Sequence, residues 1–486
     1  MKKILLCFGL MLMLSSIGYS QDLDGLESLS DDATIEESSD DLSSSSDEDA
    51  FSDLSEGESD LGEDINELED EEDVDEDESS SVTINFNGYV KPLMYWKQTN
   101  YSNSTWSAFQ ALNGSVDNVP ENQDDRKFTD VGIRTQLKFE GYLDDKARLF
   151  TAMNVNYNEA AADEADKTEI RLVEAYIELF GEGQTWKIGN QLATWGFMEG
   201  VEVPTDRLNA RDYEFNTMEF EDSKQASTGV LFKQSLDAFS FLEFIYIPVA
   251  RVDKNAAESN VFYQAEDEYT DSYYGKSKYA ARLFFNIGNL DSAFSYTDGL
   301  DTVSDVNIDS SGDAGRSYHR VQSLGLDLQY NFGSFLAKVA AVSYQTEDED
   351  GDDPYIKNSW HKILAGVEFL TGSVTTNLYI GQTSIIDFQD DSVLDQTTNA
   401  LMGQAEESVQ FVSGHINSSF LTGDALGITI MFAQYWDDEG EAFRKLLTGT
   451  VTYKLSDGLE IALSPGYMYS YKTEINSIKS EITYNF

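Results

Sequence analysis

Residues 477–486 read Ser-Ile-Lys-Ser-Glu-Ile-Thr-Tyr-Asn-Phe, and the alternation in this stretch decides the fold. Ile478, Ser480, Ile482, Tyr484 and Phe486 fall on one face, and Ser477, Lys479, Glu481, Thr483 and Asn485 on the other, which is the period of two of a β-strand. The same division appears just upstream. Leu447, Gly449, Val451, Tyr453 and Leu455 oppose Thr448, Thr450, Thr452 and Lys454; Leu459, Ile461, Leu463, Pro465, Tyr467 and Tyr469 oppose Glu460, Ala462, Ser464, Gly466, Met468 and Ser470. One face suits hydrocarbon and the other suits water.

Alternation of this kind also fits a soluble sandwich with one solvated face, so the loop lengths carry the decision. Short turns at 143–146, 181–184, 235–238, 288–290, 332–333, 371–372, 422–425 and 456–458 alternate strictly with longer connections at 97–127, 158–168, 192–225, 250–277, 299–317, 346–357, 383–409 and 436–444. Brief turns at one end and long loops at the other are the signature of a membrane barrel. The reading for residues 81–486 is an all-β, transmembrane, antiparallel up-and-down β-barrel of about 18 strands, with about 16 as the alternative count, wide enough to hold an aqueous lumen.

The N-terminus sets the compartment. Lys2 and Lys3 precede an apolar run from Ile4 to Leu14 that closes on Gly18-Tyr19-Ser20, so residues 1–20 read as a secretory signal peptide. Cys7 is the only cysteine, and six residues before it are too few for a complete leader, which makes it part of the apolar core rather than a lipidated residue. Without a thiol in the mature chain, disulfides and Cys-ligated metals are excluded. Residues 21–80 contain no Lys or Arg and about 28 Asp and Glu among serines, a composition that stays disordered. Acidic runs such as Glu71-Glu72-Asp73 lack the fixed loop of a calcium site, and neither a metal nor another cofactor is expected.

The last five residues, Ile482 to Phe486, resemble the C-terminal strand signature of outer-membrane barrels, in which Tyr484 and Phe486 form the signal that the barrel-assembly machinery reads. Lys187-x-Gly189-x-Gln191-x-x-x-Trp195-Gly196, followed by Asp206-x-x-Asn209-x-x-Asp212, resembles a stretch of uncharacterised porin-like barrel proteins of Gram-negative bacteria. The resemblance implies residence in the cell outer membrane, in contact with its lipid.

Enzymatic readings lack their parts. Hydrolytic barrels need a His beside Ser and an Asn or Asp, yet His319, His361 and His415 sit singly near the outer ends of the predicted strands, with His361 on the lipid-facing side beside Ile363. No nucleophile elbow, phosphate loop or HExxH occurs, and a net charge of −57 excludes a basic nucleic-acid surface. An acidic tether in place of a folded plug argues against an active importer.

Two function classes remain. One is a porin-like channel for passive diffusion of small hydrophilic solutes; the other is a structural or adhesive surface barrel with an occluded lumen whose outer loops bind partners. Arg134, Lys138, Arg148, Arg171 and Lys187 line the polar face of the early strands as a basic wall, with Glu140, Glu174 and Glu178 near enough to neutralise it. Residues 81–486 hold about 61 acidic and 30 basic side chains, which favours cations. A homotrimer is compatible with apolar outer patches such as 239–249.

Residues 192–225, the third outer connection, concentrate Trp195, Glu199, Glu202, Asp206, Arg207, Arg211 and Asp212 among Gly196, Gly200 and Pro204. A loop of this length, with an apolar anchor and sharp bends, reads as folding inward to constrict the pore; a surface-binding loop is the alternative. Its carboxylates would then face Arg134, Lys138, Arg148 and Arg171 across the lumen, while Arg207 and Arg211 pair with nearby carboxylates. The alternation also predicts that Arg at position 482 is costly and Arg at 481 is not.

Overall fold

The computed structural model describes residues 82–102, 123–161, 167–198, 203–212, 223–253, 267–268, 273–308, 314–421, 425–470 and 473–486. The predicted signal peptide, the acidic segment, Glu199 and Glu202 lie outside the described residues. The alternating sequence forms β1 (Val82–Tyr101), β2 (Asp124–Leu143), β3 (Ala147–Asn158), β4 (Thr168–Gly181), β5 (Gln184–Gln191), β6 (Ser227–Ser235) and β7 (Phe241–Ile247). A two-residue strand, β8 (Asp267–Glu268), precedes β9 (Lys278–Ile287) and β10 (Leu290–Leu300), and β11 (Asp305–Ile308) and β12 (Ala314–Ser317) follow in the next outer loop. The wall resumes with β13 (Arg320–Asn331), β14 (Phe335–Gln345), β15 (Trp360–Thr371), β16 (Val374–Ile385), β17 (Ser408–Phe420), β18 (Leu426–Trp436), β19 (Ala442–Ser456), β20 (Leu459–Ser470) and β21 (Thr473–Asn485).

Eighteen of these strands form one sheet of antiparallel neighbours, and it closes because β1 pairs with β21 as well as with β2. The remaining three, β8, β11 and β12, make a separate small sheet in the outer loops, where β12 runs parallel to β8. Two helices, α1 (Tyr273–Lys276) and α2 (Val393–Leu401), also belong to the outer connections.

The turns predicted as short all lie at one end, and the chain leaves them in register. At the other end the alternation is not strict, because β20 and β21 are joined by residues 471–472 alone. The first outer connection is also shorter than the sequence suggests, since β1 and β2 stay paired out to Asn100 and Asp124.

Side chains divide between the two faces as the period requires. Ile478, Ile482 and Tyr484 are outward and about half exposed, whereas Lys479 and Glu481 point inward and are buried. Inward orientation does not leave Glu481 free. Its carboxylate lies 2.7 Å from Lys479 Nζ and 3.4 Å from Lys91 Nζ, a buried bridge across the closing seam. Tolerance of Arg at 481 is therefore a wrong expectation: a third cation would sit between two buried lysines.

The histidines also divide. His361 is outward and exposed at the outer end of β15, and His319 sits in an outer loop, but His415 lies mid-strand in β17 on the same inward face as Phe411 and Ser413. It is paired across the ladder with Asn377 rather than placed at the interface.

Ile478 lies near the middle of β21, so Ile478→Arg should cost about 2–4 kcal/mol of folding free energy in lipid vesicles. Glu481→Arg should also fold poorly, while Thr483→Arg on the inward face should approach the wild-type yield. Equal yields for the 478 and 483 variants would invert the assignment of faces.

Candidate functional site

The site is built where β5 stops being a strand. Gln191 turns its amide back to the carbonyls of Lys187 (3.1 Å) and Gly229 (3.2 Å), and the Leu192 N–H donates to Glu174 Oε1 at 2.9 Å, so the chain leaves the wall on fixed hydrogen bonds. Asn209 then staples the two arms of the connection: its amide donates to the Ala193 carbonyl at 2.6 Å and its oxygen accepts the Ala193 N–H at 3.4 Å. The return arm, residues 210–212, pairs antiparallel with 223–225.

Between the arms the segment packs on inward-facing wall residues. Trp195 is 1% exposed and clusters with Leu208, Ile245, Ile247 and Ala280, the last three from β7 and β9. Its indole N–H donates to Glu243 Oε1 at 2.5 Å, and the Arg282 guanidinium lies 5.2 Å from its ring and 3.5 Å from the same carboxylate. Met198 joins a cluster with Ala340, Leu364, Tyr379, Phe411 and Tyr435 from β14 to β18. Burying such apolar side chains is the main attraction that draws the loop inward.

Two glycines mark the close approaches. Gly196 has φ of 101°, and a Cβ there would meet Thr205 Oγ1 at 2.8 Å and Val203 Cγ1 at 2.9 Å, so the segment folds on itself only without a side chain. On the wall, a Cβ at Gly325 of β13 would meet Thr205 Cγ2 at 2.8 Å. Beside it, Tyr344 of β14 donates its hydroxyl to the Pro204 carbonyl.

Ion pairs fasten each end of the segment. Asp206 and Lys224 pair at 2.6 Å with almost no exposure, and Asp212 meets Arg171 of β4 at 3.0 Å. Arg207 reaches Asp301 at 2.8 Å, with its guanidinium 5.1 Å from the Tyr344 ring and 5.4 Å from Trp360. Asp301 also binds Lys357 (2.7 Å), which lies 3.5 Å from Asp305, and Asp305 is 2.8 Å from His319 Nδ1. Lys278 of β9 donates to the Arg207 carbonyl at 3.0 Å. Asp301 is thus the hub joining the third, fifth and sixth outer connections, and the Asn358–Gln404 amide pair, at 2.8 and 2.9 Å, adds the seventh.

Burial alone would raise the Asp301 carboxyl, but Arg207, Lys357 and Lys278 outweigh it and hold the group well below the usual carboxylate range. Burial dominates at Asp253 instead, pushing it up to about 6 although it accepts the Arg211 N–H at 2.7 Å. Burial likewise raises Asp206 against the pull of Lys224. The hydrogen bond to Asp305 raises His319 despite its partial burial.

The residues predicted as a basic wall are largely ion-paired. Arg148 bridges Glu140 (2.5 Å) and Glu178 (3.4 Å) and lies over the Phe150 and Tyr176 rings; Lys187 is 3.9 Å from Glu174; Arg134 is 2.5 Å from Asp130. Lys138 alone in the row has no ion pair among the described residues. The predicted opposition of loop carboxylates and basic wall is replaced by contact at Asp212 and Arg171, and Asp206 is matched within its own loop. Arg211 enters through its backbone. Sequence reasoning missed Lys224 in the loop's own return arm, and Glu243, Arg282, Asp301, Lys357 and Tyr344, which lie on other elements; the apolar Met198 and Leu208 in a charged loop were the signal available for burial.

Removing the hub carboxylate takes the nearest anion from buried Lys357 and half-buried Arg207, so Asp301→Asn should weaken the loop junction by about 3–5 kcal/mol. Trypsin should then cut after Arg207 in the folded variant, whereas the parent resists. The raised values give the pH sign. The contribution of Asp253 is full below 3.8 and lost as pH rises through about 6, and that of His319 is full below 6.5 and lost above it. Protection of this loop should therefore be greater at about pH 5.5 than at pH 8; the opposite order would contradict the assignment.

No family model and no curated protein matches the chain. Among solved structures, Pseudomonas aeruginosa OpdQ aligns with a TM-score of 0.50 at 9% identity, covering 82% of this chain and 97% of that one. Acinetobacter baumannii OccAB4 aligns with a TM-score of 0.49 at 10% identity, covering 84% and 99%. At such identities the likeness is one of fold: the chain is a closed, eighteen-stranded antiparallel β-barrel that shares the fold of these structures.

Proposed function

We propose that the protein is an outer-membrane channel for passive diffusion of small hydrophilic solutes, and that residues 192–225 narrow its lumen. The observation that carries this reading is the anchoring of Trp195, Met198, Thr205 and Arg207 to inward-facing residues of β7, β9, β13, β14 and β15. A loop made only for surface binding would not place a tryptophan at 1% exposure. The barrel supplies a polar interior, and the loop supplies its cross-section.

Selectivity follows from what the pairing leaves over. With Arg134, Arg148, Arg171 and Lys187 each matched by a carboxylate, the basic wall contributes little net field, and the acidic excess of residues 81–486 biases the path toward cations. Lys138 is the local exception in the row.

Single-channel recording in planar bilayers under a salt gradient tests both statements. The parent should conduct with a reversal potential of cation sign, and shortening the segment between Ala193 and Asn209 should raise unit conductance. A correctly folded parent that never conducts would overturn the channel and leave the surface-binding barrel. Unchanged conductance in the shortened variant would remove the loop from the pore.

A further inference from the structure

The outward wall over β9, β10, β13, β14 and β15 is not even. Small residues Ala281, Ala341 and Ser343 form a floor, and Phe294, Leu324 and Ile363 stand beside it as ridges that are 51%, 66% and 57% exposed. They enclose a groove of about 630 Å³ whose lining is almost wholly apolar. We propose that this groove is a binding site for one acyl chain of a membrane lipid, held in the leaflet nearest the outer loops. The proposal rests on the membrane-spanning fold and not on whether the lumen conducts.

Register gives the depth. Tyr296, Leu324, Ser343 and His361 face one another in turn across the strands, and the next outward-facing row toward the outer loops reads Tyr279, Asp298, Gln322 and Gln345. Tyrosines and polar side chains at that level mark the boundary between hydrocarbon and head groups. The groove therefore starts directly beneath the outer boundary, where acyl chains of the outer leaflet begin.

Shape selects the occupant. A barrel wall is convex, so a second copy pressed against this face would touch the ridges at Leu324 and Ile363 and leave the floor at Ala341 empty. A methylene chain is thin enough to reach that floor and fill a gap that otherwise forfeits dispersion contacts. At the upper end the exposed His361 ring and the Ser343 hydroxyl sit on neighbouring strands, in the same row as the outward-facing Tyr296. They lie where the ester region of a lipid would come, and they can donate hydrogen bonds to its carbonyls.

Native mass spectrometry tests the assignment on the full barrel, reconstituted in dioleoylphosphatidylcholine vesicles and extracted into mild detergent. The parent should retain one phosphatidylcholine per barrel. Ala341→Trp and the milder Ala341→Leu, which fill the floor, should lower that occupancy by at least about tenfold, equivalent to about 1.4 kcal/mol. Ala337→Trp, on the same face of β14 but outside the groove, should retain it. Loss of lipid in the 341 variants with unchanged conductance separates this site from the lumen. A parent that retains no lipid, or equal retention in the 341 and 337 variants, overturns the proposal. A parent dimer that dissociates in Ala341→Trp overturns it in favour of a second copy of the chain.

Discussion

Hydrocarbon offers no hydrogen-bond partner to a peptide group, and that constraint governs everything else in the molecule. Each unmatched N–H or C=O in the bilayer core costs several kcal/mol, so a sheet survives there only when its first and last strands meet. Here they meet along β1 and β21, and the terminal residue takes part: Phe486 exchanges two backbone hydrogen bonds with Gly88, each of 3.0 Å. No pair is made with β21 at Lys91 or Pro92, where proline has no N–H to give, and β1 keeps its register there through β2. The Lys91–Glu481–Lys479 bridge spans the same region, so side chains hold the seam where its backbone ladder is thinnest.

Closure also explains why the fold was legible before the structure. A lipid face and a water face repeat along every wall strand, as in 478–486, and the loop lengths tell the two ends apart. What the period does not carry is any feature outside the wall. The small sheet of β8, β11 and β12 uses strands of two to four residues, too short for a periodic signal. His415 was misplaced because strand boundaries in β17 are blurred by Gly414 and the polar run that follows, and its depth depends on those boundaries.

The candidate site was legible by half. Trp195, Asp206, Arg207 and Asp212 stand out because a charged loop seldom carries tryptophan, proline and glycine together. Their partners do not stand out. Asp301 is 94 residues from Arg207, and Lys357 is a further 56 from Asp301, so nothing in a local window connects them. Glu243 and Arg282 look like any inward polar residues of β7 and β9 until the tryptophan is seen between them.

The pairing within the lumen follows from the same energetics as the closing of the wall. A long loop packed inside a barrel removes water from the wall it touches, and a charge left unpaired there is expensive. Arg171 and Asp206 therefore have matched partners in Asp212 and Lys224, and Arg207 has Asp301. Farther from the loop, Arg148 is only partly exposed and is still bridged by two glutamates. The contacts that neutralise the wall are consequently the contacts that hold the loop. On the channel reading proposed above, a substitution at Asp301 or Arg207 changes the open cross-section and the stability of the junction together, whereas one at Lys138, which bears neither duty, changes the field alone.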